Sequence, residues 1–487
     1  MKKRISIFYV VMFFVLLFGI GLKEGRATVE LWGDKLTVDG EMRYELLMHV
    51  GRKNLNNPDQ MNYNLNLSRA FFQTEWNFKP NKMIRIFSKV RIINDSTVEF
   101  DEHLDPYDAF PKTANSALEI ESNDENQFDI WELYGDIKLG KLWLRLGRQQ
   151  IVWGEMIGAR VLDVVNPLDN TWHHKFEPEE FDRTRIPLWM IRAYYTIEQN
   201  AVPWLKDLHI ETFINPGDIS PNVGANVGAP FNVKSPFPDF FMLDDKDRRG
   251  DTEYGFRVGG KIGRFYATLN YIHVYSDNGM YDFIEDIQLY EPGGSEPVGR
   301  EKHVDVRYPL TEIYGLSLNY DFGSTVFTFE GKYIPNNPSW DPEGQYLEMG
   351  DDIGTWDYAF RIDHYRRVFS DHMRYMQIQF QFMQQIYEGN LHDVAGPAKS
   401  KIDRTRESFM LKFKQPFFKS DKITAVCAFF VHRKGAQRYQ PQIFYKPTDR
   451  FKFDIFATFI EGTEDRGGWW SYMQWMDEVG FRVTYTF

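Results

Sequence analysis

From Leu36 to Val50 apolar and polar positions alternate. The even positions are Leu36, Val38, Met42, Tyr44, Leu46, Met48 and Val50, broken only at Gly40. The odd positions are Thr37, Asp39, Glu41, Arg43, Glu45, Leu47 and His49. Successive strand side chains point to opposite faces, so this stretch predicts a two-faced strand. It is longer than a typical soluble strand and suits a tilted one that crosses a bilayer and projects beyond it.

The alternation recurs in pairs of segments joined by tight turns. SRAFFQTEWNF turns at Lys79-Pro80-Asn81 into MIRIFSKVRII, and FDIWELYGDIKL turns at Gly140 into KLWLRLGRQ. EYGFRVGGKI turns at Gly263 into RFYATLNYIHV, and TEIYGLSLNYDF turns at Gly323-Ser324 into TVFTFEGKYI. Further pairs turn near Ser370-Asp371, through Lys419-Ser420-Asp421 and at Thr448-Asp449. Between hairpins lie polar, Gly/Pro-rich segments at roughly 95–126, 150–186, 215–250, 276–308, 335–355, 387–403 and 462–475. Short turns alternating with long loops predict an all-β fold, a transmembrane antiparallel β-barrel of about 18 strands with about 16 as the alternative. Short turns then face the periplasm and long loops the outside.

The ends of the chain agree with export. Lys2, Lys3 and Arg4 precede an apolar run from Ile5 to Leu22, and Gly25-Arg26-Ala27 supplies the small-residue exit. Residues 1–27 therefore read as a cleaved signal peptide and 28–487 as a single barrel domain. The last residues place Val479, Phe481, Val483, Tyr485 and Phe487 on one face of a strand. Such an ending, closed by phenylalanine, resembles the signal read by the barrel-assembly machinery of Gram-negative bacteria. The expected location is their outer membrane, with lipid and lipopolysaccharide as surroundings.

Composition narrows the function. Mean hydropathy is -0.47, aromatics are 16%, and past residue 27 no apolar run reaches the length of a membrane helix. A barrel reconciles low hydropathy with abundant aromatic girdles. The chain carries a net charge of -12, which argues against nucleic acid as a partner. Acid-rich stretches such as DSTVEFDEHLDP could bridge divalent cations near lipopolysaccharide or stand as plain solvated loops. The single cysteine, Cys427, leaves no disulfide and no haem-attachment motif, and neither cofactor nor metal is expected.

The stretch GRQQIVWGEMIGARVLDVVNPLD, from Gly147, is too apolar at its centre for a solvated loop and too charged for a strand. A loop folded back into the barrel accommodates both, as a constriction or plug of the lumen spanning 150–186. The residues expected to carry it are Arg148, Gln149, Trp153, Gly154, Glu155, Arg160, Asp163, Asn166 and Asp169. Arg148 or Arg160 would pair with Glu155, Asp163 or Asp169, and MIGARVLDVV could form a short helix stopped at Asn166-Pro167. A structural clamp that stiffens the wall is the competing reading.

The motif LGRQQIVWGE, followed by RVLDVVNPLD and a Pro-led strand, is similar to that of a bacterial outer-membrane family known as domain of unknown function 1302. The resemblance implies an outer-membrane barrel whose relatives are often encoded near RND-type exporters, which makes such a system an expected partner. It brings no substrate and no catalytic residues.

Parity assigns Arg43, Glu45, Arg69, Glu75, Arg85, Lys89, Arg91, Glu132, Asp136, Arg145, Arg192 and Glu211 to the lumen. Arg85, Lys89 and Arg91 form a basic ladder, either a track for an anionic solute or the partners of a neighbouring acidic strand. Trp143 and Trp153 would suit an amphipathic or hydrophobic solute. An outer-membrane enzyme is the rival class. DNTWHHKFEPEEFDR sets His173 and His174 beside acids, but adjacent histidines on an extended segment point opposite ways and no HExxH spacing occurs. An adhesive or structural barrel, or a sheath for a partner protein, remain further alternatives to a channel.

Overall fold

In the computed structural model, a single antiparallel ladder runs through eighteen strands and closes on itself. The strands are β1 Leu36–His49, β2 Leu65–Phe78, β3 Ile84–Asp95, β4 Asn126–Leu139, β5 Leu142–Gln149 and β6 Leu188–Thr196. They continue with β7 Lys206–Asn215, β8 Glu253–Ile262, β9 Phe265–Tyr275, β10 Leu310–Phe322, β11 Thr325–Trp340 and β12 Met349–Arg366. The last six are β13 Met376–Tyr387, β14 Thr405–Phe417, β15 Ile423–His432, β16 Gln437–Tyr445, β17 Phe451–Glu461 and β18 Glu478–Thr486. Each pairs with its neighbour in sequence, and β1 pairs with β18 from Glu41↔Thr486 to His49↔Glu478. Closure leaves no edge with unpaired backbone groups, which is what a sheet facing hydrocarbon requires.

The structure describes residues 29–32, 35–50, 65–100, 118–122, 125–158, 160–169, 171, 181–197, 204–220, 222, 241–244, 251–277, 280–290, 297–340, 349–369, 373–388, 404–418, 421–433, 435–462 and 477–487. The proposed signal peptide, residues 1–27, and the pair His173 and His174 lie outside them.

Side-chain parity separates the two faces as the sequence pattern predicts. Leu146, Ile191, Ile210, Phe256 and Phe481 are exposed, and Leu269 and Ile455 are 65% and 62% accessible. Apolar side chains this exposed, recurring on strand after strand, form a belt suited to lipid. At the alternate positions charged and amide side chains are buried, among them Arg43, Arg91, Glu330, Gln379, Lys412 and Arg482. These face the inside of the barrel. The C-terminal residues Phe481, Val483, Tyr485 and Phe487, expected from sequence to form an assembly signal, share the outer face, while Gly480, Arg482 and Thr484 are buried on the inner one.

Two features depart from the sequence reading. The connection between β15 and β16, residues 433–436, is short although it stands at the long-loop end, and it is closed by His432 N–H donating to Ala436 O at 2.8 Å. Within the stretches read as loops, Phe241–Asp244 pairs in parallel with Pro297–Arg307, which pairs antiparallel with Met280–Tyr290. This second sheet is separate from the wall ladder. Two short strands also attach to the wall: Val29–Leu31 along β1, and Leu118–Ser122 along β4.

The gap at Gly40 in the first apolar face has a steric cause. Phe487 and Gly40 exchange two backbone hydrogen bonds of 2.9 Å, and the Phe487 ring stacks on Phe72 with centroids 6.1 Å apart. A Cβ at position 40 would lie 2.3 Å from Phe487 Cζ. Gly40→Leu is therefore expected to cost about 1–3 kcal/mol through overpacking at the closing seam. The check is the unfolding midpoint of the heat-modifiable barrel, and Phe487→Ala in the same chain should recover most of the loss if the ring is the cause.

Candidate functional site

The inner wall along the first strands is a lattice of ion pairs that runs from the short-turn end to the long-loop end. Arg145 and Arg85 both reach Asp136, at 2.7 and 3.4 Å. Lys89 lies 3.1 Å from Glu75 and 3.9 Å from Glu132, and Arg91 lies 3.2 Å from Asp129. Arg192 meets Glu211 at 2.5 Å, Arg482 meets Glu45 at 2.9 Å, and Arg69 meets Asp95 at 2.7 Å. Arg43, another residue assigned to the lumen, is buried on the same face. Each cation of the ladder Arg85, Lys89 and Arg91 thus has a carboxylate neighbour on an adjoining strand or its own sheet face. Burying such charges is costly unless they are paired and hydrogen-bonded, and strand register supplies the pairing, as in Arg85↔Asp136↔Arg145.

The chain leaves β5 at Gln149 and turns onto this inner face. Arg148 is fully buried but does not pair with the loop's acids. Its Nε donates to Pro187 O at 3.1 Å and its Nη1 to Ile130 O at 2.7 Å. Gln149 donates to Met190 O at 3.0 Å. Asn166, also fully buried, is the hub of the segment: its Oδ1 accepts from Ile151 N–H at 2.7 Å. Its Nδ2 donates to Ile186 O at 2.8 Å and to Gln149 O at 3.3 Å. One amide thereby ties the outgoing limb, the returning limb and the approach to β6. The returning limb then pairs with 184–186, with Ile186 N–H to Pro167 O at 2.8 Å and Asp169 N–H to Thr184 O at 2.6 Å.

Apolar side chains of the segment fill recesses in the wall. Ile151, Trp153 and Val165 pack with Leu188, Met190, Phe213, Ile272, Val274, Ile313 and Ile334. Trp153 is 1% exposed, crosses Phe213 edge-on at 5.3 Å and donates its indole N–H to Glu211 at 3.0 Å. Two wall glycines make the room. A Cβ on Gly255 would lie 2.5 Å from the Phe213 ring and 3.0 Å from Trp153 Cη2, and one on Gly315 would lie 2.4 Å from Leu162 Cδ2. A glycine within a strand often marks such a close approach.

The tip, residues 155–162, reaches strands far from β5 in the ladder. Glu330 on β11 accepts from the backbone N–H of Glu155 and, at 3.4 Å, from that of Leu162. Gln381 on β13 accepts from Ile157 N–H at 3.0 Å, Arg361 on β12 donates to Glu155 O, and Asn319 on β10 donates to the Glu155 carboxylate at 3.0 Å. Val161 and Leu162 pack with Ala359 and Met383, while Ile157 packs with Met410, Ala428 and Phe430. On the other side, Arg183 pairs with Glu41 at 2.6 Å, and Arg69 and Arg91 donate to the carbonyls of Thr171 and Arg183, each at 3.3 Å.

Of the acids expected to pair within the segment, Asp163 does so, with Arg160 at 3.4 Å and Arg185 at 2.8 Å. Asp169 instead accepts from the backbone and hydroxyl of Thr171, at 3.0 and 2.5 Å. Burial pushes its carboxyl up, against the Thr171 hydrogen bonds and the charges of Arg91 and Arg69 that pull it down. Gly154 is in close contact with the Asp163 backbone. The short helix expected over MIGARVLDVV does not form among the described residues. The N–H groups of Ile157 and Leu162 are taken by wall side chains, and the apolar residues serve different strands, so no single helical face could satisfy them. The wall residues Glu330, Gln381 and Arg361 were not singled out by sequence, because an inward polar position on one strand reads like any other.

Asn166→Ala would strand the Ile151 N–H and two carbonyls, a cost of about 1–3 kcal/mol for buried groups left unpaired. Limited proteolysis of the folded barrel should show accelerated cleavage within 150–169 while the strands resist. An unchanged cleavage rate would remove the amide from its role as hub.

The model of the family described as "Protein of unknown function (DUF1302)" matches residues 51–487, and the chain belongs to that family. No curated protein matches it. Among solved structures it is similar to OccK8 (OprE) of Pseudomonas aeruginosa, at 9% identity over 93% of this chain and 98% of that one, with a TM-score of 0.49. It is also similar to OccAB1 of Acinetobacter baumannii, at 10% identity over 93% and 95% of the two chains with a TM-score of 0.48. With OmpF of Salmonella typhi the identity is 11% over 94% and 100%, with a TM-score of 0.42.

Proposed function

We propose that this DUF1302 barrel is a channel that passes a solute across the outer membrane of a Gram-negative bacterium, and that segment 150–186 sets what passes. A closed ladder of this many strands encloses a lumen wider than its own side chains can fill. The observation that carries the reading is the double anchorage of the segment. Its tip is held by Glu330, Gln381 and Arg361 on β11 to β13, and its returning limb by Glu41, Arg69 and Arg91 on β1 to β3. A chain held to both sides of a lumen narrows it. Functional loops on rigid scaffolds are the common arrangement, and this one is seated by wall side chains such as Glu330 and Gln381 together with its own Asn166 and Arg183.

The test is single-channel conductance in a planar bilayer, comparing the folded mature chain with one lacking residues 156–165. A larger conductance in the shortened chain, from a barrel of normal heat-modifiable mobility, is the expected result. Equal conductance in the two would leave the segment as a clamp on the wall. Failure of both to conduct, once folding is verified, would reject the channel and favour a rim enzyme or a sheath for a partner protein.

A further inference from the structure

Beneath the inward segment the wall carries two cross-strand rows of rings and guanidinium groups. Arg85, Asp136, Arg145 and Arg192 stand in register on β3, β4, β5 and β6. One step nearer the short turns, Trp143, Tyr194, Glu211 and Arg257 stand in register on β5 to β8. The cations lie over the rings: Arg145 is 3.8 Å from the Tyr134 centroid and 4.8 Å from that of Trp143, and Arg192 is 5.5 Å from Trp143. At the far end Tyr194 stacks on His209 at 4.8 Å, and His209 on Tyr266 at 6.2 Å.

Charge in this arc is unbalanced. Arg85 and Arg145 share the one carboxylate of Asp136. Glu211 serves Arg192 and also accepts from Trp153, while Arg257 Nε is buried with no hydrogen-bond partner among the described residues. The guanidinium groups are not sealed off, since Arg85, Arg145 and Arg192 keep 33%, 15% and 20% of their side-chain accessibility. Other inward positions on the wall are neutral, such as Gln379, Thr424 and Gln442 on β13, β15 and β16, or hold cations with a carboxylate at hand, as in Lys332 with Asp357 at 3.0 Å and Arg361 with Asp363 at 2.8 Å.

From this we infer that the arc Arg85–Arg145–Trp143–Arg192–Tyr194–Arg257 is a binding site for planar aromatic carboxylates. A flat ring stacks on tyrosine, tryptophan or a guanidinium face, and guanidinium takes a carboxylate with two parallel hydrogen bonds. The surplus of cations over acids selects an anion, and the rings select one with a flat apolar body. The inference rests on the lumen being the solute path and names the class of solute that the path would hold below its narrowest part.

Isothermal titration of the folded full chain in detergent with 2-naphthoate tests it, with naphthalene-2-carboxamide as the uncharged isostere. Saturable binding of naphthoate is expected, with the carboxamide weaker by about tenfold, a loss in the range of a charge-assisted pair. Arg257→Gln and Tyr194→Leu should each weaken naphthoate by a similar factor, with heat-modifiable mobility confirming that both barrels fold. Absence of naphthoate binding, equal binding of the carboxamide, or unchanged binding in both folded variants would overturn the site. A barrel that conducts without binding naphthoate loses the site and keeps the channel. One that binds naphthoate in detergent but conducts in neither length loses the channel and keeps the site.

Discussion

The pairing of β1 with β18 carries the rest of the structure, because it turns a sheet into a wall. Register from Glu41↔Thr486 to His49↔Glu478 gives every strand two neighbours and fixes which residues face in. Once the ladder is closed, alternation sorts Phe481 to one side and Arg482 to the other without further instruction. Gly40 and Phe487 show how tightly the seam is built, since the ring occupies the space that any other side chain at position 40 would need.

Closure also creates the problem that the inward segment answers. Main chain turned into a barrel brings backbone N–H and C=O groups away from bulk water, and each must find a partner. Here the partners are side chains: Asn166 within the segment, and Glu330, Gln381 and Arg361 on the wall. The apolar residues are seated in the same way, with Trp153 and Leu162 entering recesses that Gly255 and Gly315 leave open. Wall and segment are complementary in both polarity and shape. That complementarity distinguishes a seated element from a loop resting against a surface.

Much of this was legible in the sequence because the barrel obeys a period of two. The strands, their number and the alternation of an apolar with a polar face all follow from parity and turn placement. The segment from 150 stands apart in the sequence by mixing Trp153, Val161 and Leu162 with charges where a solvated loop would carry neither in that proportion. What parity could not show was partnership across the ladder. Nothing local marks Glu330 as the acceptor for Glu155 and Leu162, or Gly315 as the recess for Leu162, since those contacts join residues more than a hundred positions apart. The expected helix over 156–165 failed for the same reason: local propensity lost to donors and acceptors supplied from elsewhere. The separate sheet of 241–244, 280–290 and 297–307 was hidden in stretches whose polar, Gly/Pro-rich composition reads as loop.

The most direct measurement of this account is hydrogen–deuterium exchange of the folded, full-length barrel, followed by mass spectrometry over peptides from 150 to 169. If wall side chains seat the segment, the amides of Ile151, Glu155, Ile157 and Leu162 will exchange as slowly as those of β11 and β13. Exchange as fast as in an unstructured peptide, while the strands remain protected, would mean that the segment is not held against the wall and that the lumen is governed by something else.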